Sequence, residues 1–183
     1  QIFGVSPSLH FTLEISLPLN QYAWLLVLGV VTGLLGVFYN KMTIASLKLY
    51  DRIPVLKSYQ KIIIPLFVSG VLGLWLPQVI GGGHVLVNYL NSEQLVLSSL
   101  VVLLIVKFVF SLLSFGSGAP GGIFFPLLIL GSLIGAIFGQ IAMIFGIADV
   151  YFVNFVIFAM AGFFAGIVRA PITGIVLIAE MCG

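Results

Sequence analysis

The longest stretch without a charged side chain runs from 108 to 148 and covers 41 positions. As one α-helix it would be about 60 Å long, twice the thickness of the hydrocarbon core of a bilayer. Within it lies Gly116-Ser117-Gly118-Ala119-Pro120-Gly121-Gly122, where four glycines and one proline occupy seven positions. Helix interiors tolerate such a segment poorly. The stretch therefore predicts two helices separated by a break, and because this break has no charge and one hydroxyl, we expect it to be recessed in the protein.

Composition favours a membrane protein. Hydrophobic residues make up 61% of the 183 residues and charged residues 7%, whereas about a quarter of the residues of soluble domains are charged. The expected fold class is all-α: a polytopic transmembrane helix bundle in which some helices are broken or span only part of the bilayer. We expect a single membrane domain over 1–183, with a more polar leading segment at 1–19 and helices near 21–50, 62–76, 84–91, 94–114, 123–139, 151–167 and 170–181.

Basic residues predict the orientation. Five of the seven Lys and Arg residues fall within 41–61, and basic loops stay on the cytoplasmic side. The loop at 41–61 is therefore expected to be cytoplasmic, which places 1–19 outside and Arg169 inside. The sequence begins without Met and ends directly after an apolar run, so we expect it to be a piece of a longer protein.

Several classes of function are not expected. Cys182 is the single cysteine, and neither His10 nor His84 has a cysteine or carboxylate nearby at ligand spacing, so neither a disulfide nor a metal site is expected. Ser117 has no histidine or aspartate at membrane depth to activate it, which argues against an enzyme. A net charge of +2 without a basic cluster outside 41–61 gives no reason to expect a nucleic-acid partner.

The helix that follows the break offers an anion site made of backbone. A helix starting near Gly122 or Ile123 presents N–H groups without intrahelical partners and the positive end of its dipole. Pro126 suits a first helical turn, and the rings of Phe124 and Phe125 present positive edges. We expect residues 115–122 to be non-helical and the amides of Ile123 and Phe124 to face a polar crevice. The alternative is that 115–126 is only a tight turn between helices.

Small residues at four-residue spacing predict close helix packing. Gly131, Gly135 and Gly139 follow this spacing, as do Gly29 and Gly33. In lipid, such faces let helix backbones approach one another. Packing inside one bundle and dimerisation of subunits both remain possible uses of these faces.

Two polar residues have two interpretations each. Lys107 stands inside an apolar helix and is either a functional intramembrane charge or a side chain that reaches the cytoplasmic interface. Glu180 ends an apolar helix and is either a proton relay or an interfacial, hydrogen-bonded residue.

Two segments resemble one family of membrane proteins. The run from Gly116 to Pro126, followed by Leu130-Gly131-Ser132 and Gly135, resembles the G-x-F-x-P signature region of CLC proteins. Val168-Arg169-Ala170-Pro171-Ile172-Thr173-Gly174, continuing to Glu180, resembles the R-A-P-x-T-G helix of the second half of that family. The two segments stand in the family's order, and the resemblance covers essentially residues 1–183.

The resemblance implies a function and a set of site residues. The chain would be one half of an inverted repeat of a chloride channel or chloride/proton antiporter, a homodimer in the bacterial cytoplasmic membrane. The helix after Pro171 would contribute to the dimer interface. Chloride, the transported ligand, would be bound at Gly122, Ile123, Phe124 and Phe125, and no cofactor is implied. The pore loop would be shaped by Gly116, Ser117, Gly118, Pro120, Gly121 and Pro126.

Other family elements do not occur in this sequence. They are the G-S-G-I-P loop, the G-x-E-G-P gating glutamate, the internal proton glutamate and the helix with the pore tyrosine. Besides the bilayer and a second subunit, the resemblance thus implies an N-terminal half and C-terminal helices as partners. Two alternatives stay open: a structural half-module without a complete pore, and an unrelated multi-pass secondary transporter.

Overall fold

The computed structural model describes residues 18, 21–52, 60–77, 96–119 and 121–182. The described residues form α-helices and turns, without a β-strand. The helices are α1 (Tyr22–Asp51), α2 (Ile63–Trp75), α3 (Leu97–Gly116), α4 (Phe124–Ile144), α5 (Phe152–Val168) and α6 (Pro171–Cys182), and a 3-10 turn, Asp149–Tyr151, precedes α5. The helix expected at 84–91, His10, His84 and Pro120 lie outside the described residues.

Within the described ranges, four helices are long and apolar enough to cross a bilayer: α1, α3, α4, and α5 together with its 3-10 turn. By contrast, α2 and α6 have 13 and 12 residues. At 1.5 Å per residue α2 is about 20 Å long, less than the roughly 30 Å of a hydrocarbon core. The described residues thus form an all-helical membrane bundle that combines spanning helices with a shorter one.

Two helices end later than the sequence indicates. The third helix continues through Phe115 to Gly116, so the expectation that both residues are non-helical is wrong; the chain leaves the helix only where Gly118 adopts a φ of +74°. The fourth helix continues past the expected end at 139 to Ile144. Gly139 lies inside this helix, and its missing side chain makes room for Phe152. The chain turns instead at Gly146, which has a φ of +90°.

Helices α4 and α5 pack antiparallel along the glycine face of α4. A Cβ atom on Gly131 would lie 2.7 Å from the Cα of Met160, and one on Gly135 would lie 2.6 Å from the Cα of Val156. Real Cβ atoms do not approach backbone this closely. Small residues therefore bring the two backbones together, as expected for helices that associate in lipid.

Helix α1 runs parallel to both α5 and α3. Against α5, Thr32 occupies the space left by Gly162, and the Asn40 side-chain amide donates to the Ile167 carbonyl over 3.3 Å. Against α3, the Ser46 hydroxyl donates to the Leu112 carbonyl over 2.8 Å. These contacts place the C-terminal half of α1 beside the end of α3, where the predicted break begins.

Helix α4 forms the centre of the bundle. Residues 127–136 are all buried, and the main apolar cluster joins α4 to residues of α1, α3 and α5. The outer face of α1 is instead apolar and exposed, with Leu26 at 74% and Leu34 at 67%. The bundle thus positions the first residues of α4 against its neighbours, while apolar side chains remain outside, as a bilayer requires.

Candidate functional site

The break between α3 and α4 is held by a serine turn. The Ser117 hydroxyl donates to the Ser114 carbonyl over 2.7 Å, and the Ala119 amide donates to the Ser117 hydroxyl over 3.3 Å. Gly118 has a φ of +74°, in the left-handed region that glycine adopts without strain. Ser117 therefore shapes the turn.

Gly116 is required for close helix packing and not for an unusual backbone conformation. It is the last residue of α3, and a Cβ atom there would overlap the Ser46 hydroxyl and lie 2.9 Å from the ring of Tyr50. The end of α3 can therefore approach α1 only because residue 116 has no side chain. This contact fixes where the break starts.

The first turn of α4 begins without a side-chain cap. Ile123 is the N-cap residue, with φ −83° and ψ −16°, and makes no side-chain cap hydrogen bond. The Leu127 amide donates to the Ile123 carbonyl over 3.2 Å, which is the first bond of the helix ladder. Pro126 has no N–H to lose, and the amides of Ile123 and Phe124 stand at the start of the helix, where the first N–H groups have no acceptor one turn earlier. No acidic residue lies in this first turn.

Aromatic rings fix the start of α4. The rings of Phe124 and Phe125 meet at 72° with centroids 5.3 Å apart. Phe124 also meets Phe164 of α5 at 86°, again at 5.3 Å. Edge-to-face pairs of this kind add about 0.5–1.5 kcal/mol beyond the burial of their area. The residue that carries the first helical amide is therefore anchored to α5.

A crevice with both polar and apolar lining lies between α3 and the break. It has a volume of about 200 Å³. One wall is a face of α3 and the other is the chain that leads into α4. The residues that line it are Lys107, Phe110, Ser111, Ser114, Phe115, Ala119, Gly121, Gly122 and Pro126. Among the described residues of its lining, one lysine, two serines and two glycines stand beside aromatic and other apolar side chains, and none of them is acidic.

Lys107 is buried inside the bundle. Its relative exposure is 2%, and it lies ten residues after Leu97 and nine before Gly116, the two ends of α3. Its side chain lines the crevice and is enclosed by the bundle. Both interpretations from the sequence, a functional intramembrane charge and a side chain that reaches the interface, stay predictions.

The structure brings part of the predicted site together. Gly121, Gly122 and Pro126 line the crevice, whereas Ile123 and Phe124 lie next to it, at the start of α4. The orientation of the Ile123 and Phe124 amides toward the crevice stays a prediction. Sequence reasoning missed Ser111 and Ser114; their signal was spacing, since residues 107, 111 and 114 share one helix face.

The second signature-like segment, Val168 to Glu180, packs next to the helix that contacts the start of α4. Arg169 is exposed and adopts a left-handed conformation, with φ 58° and ψ 30°, between α5 and α6. Gly174 in α6 lies 3.3 to 3.5 Å from Phe164, Ala161 and Ala165 of α5, measured from its ideal Cβ position. Because Phe164 also contacts Phe124, α6 and the start of α4 are joined through one ring. Glu180 is exposed.

A bundle of spanning helices and a shorter one, with one helix interrupted beside a buried charge and a crevice, is the architecture of membrane transport proteins. Comparison with known proteins identifies the group. The sequence profile of the family described as "Voltage gated chloride channel" matches residues 1–183. The chain belongs to this family, which is the CLC family that its two signature segments resemble.

Individual relatives agree with this assignment. The chain is 40% identical over 169 residues to the H(+)/Cl(-) exchange transporter ClcA of Vibrio parahaemolyticus and 36% identical over 168 residues to that of Klebsiella pneumoniae. Each match includes 90% of the chain and 36% of the relative's length. The crystal structure of a slow cyanobacterial Cl-/H+ antiporter superposes with a TM-score of 0.89 at 28% identity, including 99% of this chain and 43% of that one.

Proposed function

We propose that this chain forms part of a chloride pathway and that the protein exchanges chloride for protons. The observation that carries the proposal is the uncapped start of α4. The amides of the helix start and the positive end of the helix dipole meet there without an acidic side chain in the first turn, next to the crevice. The two relatives are both named as H(+)/Cl(-) exchange transporters, which favours exchange over a channel.

The chemistry of the site suits an ion that must leave again. Backbone N–H groups bind an anion by partial charges, so they hold it without the full charge of a lysine or arginine side chain. Pathways for ions need binding that is strong enough to admit the ion and weak enough to release it. We assign chloride binding to Gly122, Ile123, Phe124 and Phe125, with the turn from Gly116 to Pro126 as the surrounding loop.

The relatives extend well beyond the region that this chain matches, since it spans 36% of their length. We therefore propose that other segments of a full-length protein complete the pathway and supply the groups that carry protons. We also propose that the protein is a homodimer in the bacterial cytoplasmic membrane. The outer face of α6 suits a subunit contact because Ile172 and Ile175 are 78% and 62% exposed.

Backbone ester substitution tests the chloride site directly. In the full-length protein, replacing the Ile123 or Phe124 amide by an ester deletes one N–H and little else. Calorimetric titration with chloride should show binding weaker by about 1–3 kcal/mol, the usual scale for a hydrogen bond to a charged group. By contrast, Ile123→Ala keeps the amide and should leave the affinity nearly unchanged.

A matched ester at another helix start provides the control. Leu97 is the first residue of α3, after the N-cap Val96, and its amide also lacks an intrahelical acceptor. Because it lies about 30 Å from the break along α3, its ester should not change chloride affinity. Undiminished affinity with esters at both Ile123 and Phe124 would show that the start of α4 is only a structural turn.

A further inference from the structure

We infer that α1 and the groove beside it bind an anionic phospholipid in the membrane leaflet at the C-terminal end of α1. Basic side chains of α1 hold the phosphate, and the groove between α1 and α3 holds part of an acyl chain. The inference does not depend on the proposed chloride site. Three observations carry it: where α1 leaves the hydrocarbon core, which cations it presents there, and the position of the groove.

Helix α1 is longer than the hydrocarbon core. Its 30 residues extend about 45 Å, against roughly 30 Å of hydrocarbon. Trp24 stands near its first end, and tryptophan favours the membrane interface. Lys41 lies 17 residues further along, which is about 26 Å. Lys41 therefore lies near the opposite boundary of the core, and the last turns of α1 lie among the headgroups.

The last turns of α1 present a basic stripe, which consists of Lys41, Lys48 and Arg52. Intervals of seven and four residues place these three side chains on one face of the helix, and all three are exposed. Asp51, the single acidic residue of α1, lies 3.6 Å from Lys61. Basic clusters at a membrane surface attract anionic lipids. The charge of the stripe thus complements a phosphate.

Apolar side chains flank the basic stripe. Ile44, Leu47 and Leu49 belong to the same turns of α1 and are exposed. A surface that combines lysine with exposed leucine and isoleucine suits the boundary between headgroups and hydrocarbon. At that boundary lysine stems lie along apolar surface while their amines reach the phosphates. The stripe is therefore placed at lipid.

An apolar groove opens one helical turn before the stripe, between α1 and α3. It has a volume of about 200 Å³, and its described lining residues are all apolar. Phe38 and Ile105 line the groove and are exposed at its rim. Phe38 also stacks on Phe108 of α3, with ring centroids 5.7 Å apart. Because Phe38 precedes Lys41 by one turn, a lipid whose phosphate lies at the stripe can place an acyl chain in the groove.

The floor of the groove belongs to the core of the bundle. Leu130 and Ile134 of α4 and Phe163 of α5 line it and are buried. Lipid tails are as apolar as leucine, so the groove favours a bound chain by fit and not by the hydrophobic effect. Selectivity for one lipid over another therefore comes from the headgroup. The bound chain contacts α4, the central helix.

Photo-crosslinking in the full-length protein tests the inference. The photoreactive residue p-benzoylphenylalanine replaces Ile105 at the rim, and the protein is reconstituted in vesicles of equal parts phosphatidylglycerol and phosphatidylcholine. Mass spectrometry after illumination should show adducts with phosphatidylglycerol in about fivefold excess or more. The reason is that one basic residue near an anionic surface contributes about 1 kcal/mol, or about fivefold in affinity. The same probe in place of Leu26, which is exposed near the other end of α1, should react with both lipids equally.

Charge variants separate the basic stripe from general surface charge. Lys41→Gln combined with Lys48→Gln should bring the two adducts at position 105 to equal amounts. Arg169→Gln removes an exposed cation at the end of α5, which runs parallel to α1, and should leave the excess unchanged.

Three results would overturn the inference. They are equal amounts of both lipids at position 105 of the otherwise unchanged protein, an excess that survives the lysine substitutions, and crosslinks from position 105 to another part of the polypeptide, which would show that a protein segment fills the groove. The proposed chloride site would stand after any of them, because the ester substitutions test it separately.

Discussion

The ring of Phe164 in α5 meets the ring of Phe124, the first residue of α4, edge to face, with centroids 5.3 Å apart. Phe164 is 5% exposed. A side chain that has no contact with the anion thus positions the residue whose amide is proposed to bind it. Mutation of Phe164 therefore changes the support of the α4 start without changing the amide that is proposed to bind the anion.

Phe164→Leu should lower the free energy of unfolding by about 1–2 kcal/mol, because it removes an aromatic pair from a buried position. It should also weaken chloride binding, since the first turn of α4 loses its support. Thermal unfolding in detergent and calorimetric chloride titration measure the two effects. Phe158→Leu is the control, because Phe158 lies on the same helix and is 47% exposed. Equal effects of both variants would contradict the role given to Phe164.

Gly135→Ala should destabilise the bundle by about 1–3 kcal/mol, the usual cost of overpacking. A Cβ atom there would lie 2.6 Å from the Cα of Val156, which belongs to a neighbouring backbone and cannot rotate away. Gly29→Ala is the matched change, because nothing lies within 4 Å of its Cβ position, and should stabilise α1 by about 0.5–1 kcal/mol. Chemical unfolding in detergent compares them, and a stable Gly135→Ala protein would argue against the close α4–α5 contact.

Gly118→Ala should cost about 1–2 kcal/mol of stability, since an L-residue is strained in the left-handed region that Gly118 occupies at φ +74°. Gly121→Ala should have little effect on stability, because Gly121 has open space around its Cβ position and no positive φ. Both residues lie in the same break. Comparing their unfolding transitions therefore shows whether a loss of stability comes from the backbone conformation of Gly118 or from any substitution in the break. Similar losses in the two variants would show that the turn is not governed by residue 118.

Arg169→Gly should stabilise the protein by about 0.5–1 kcal/mol. Arg169 has a φ of 58°; glycine removes the strain of this conformation but is more flexible in the unfolded chain. Arg169→Ala retains the strain and should bring no gain. Thermal unfolding of the two variants tests this, and a gain with alanine would mean that the arginine side chain, rather than its backbone, is unfavourable.

The sequence was sufficient to predict the helices and the break. Charge-free stretches are long enough to identify spans, and four glycines with a proline interrupt the longest of them. The end of α4 was not predictable in the same way. The helix was expected to end at 139, but it continues to Ile144, and Gly139 packs against Phe152 within it. The spacing of the glycines predicts a packing face but does not indicate where the helix ends.

The position of Lys107 shows a similar limit. Its place within an apolar helix was visible in the sequence, but whether it faces lipid or protein depends on how α3 is rotated. That rotation is fixed by contacts between distant residues, such as Gly116 with Tyr50 and Ser46 with Leu112. The crevice therefore could not be predicted without the relative positions of α1, α3 and the break.

The buried lysine of α3 bears on how this helix is inserted during synthesis. A lysine at the centre of a helix opposes insertion by the translocon by about 2.5–3.5 kcal/mol. The same 20-residue helix contains 14 Leu, Ile, Val and Phe residues, each of which favours insertion by up to about 0.3–0.6 kcal/mol at the centre. Together they offset the charge, so α3 can enter the bilayer on its own. The lysine would then be in the membrane before α4 arrives to form the crevice around it.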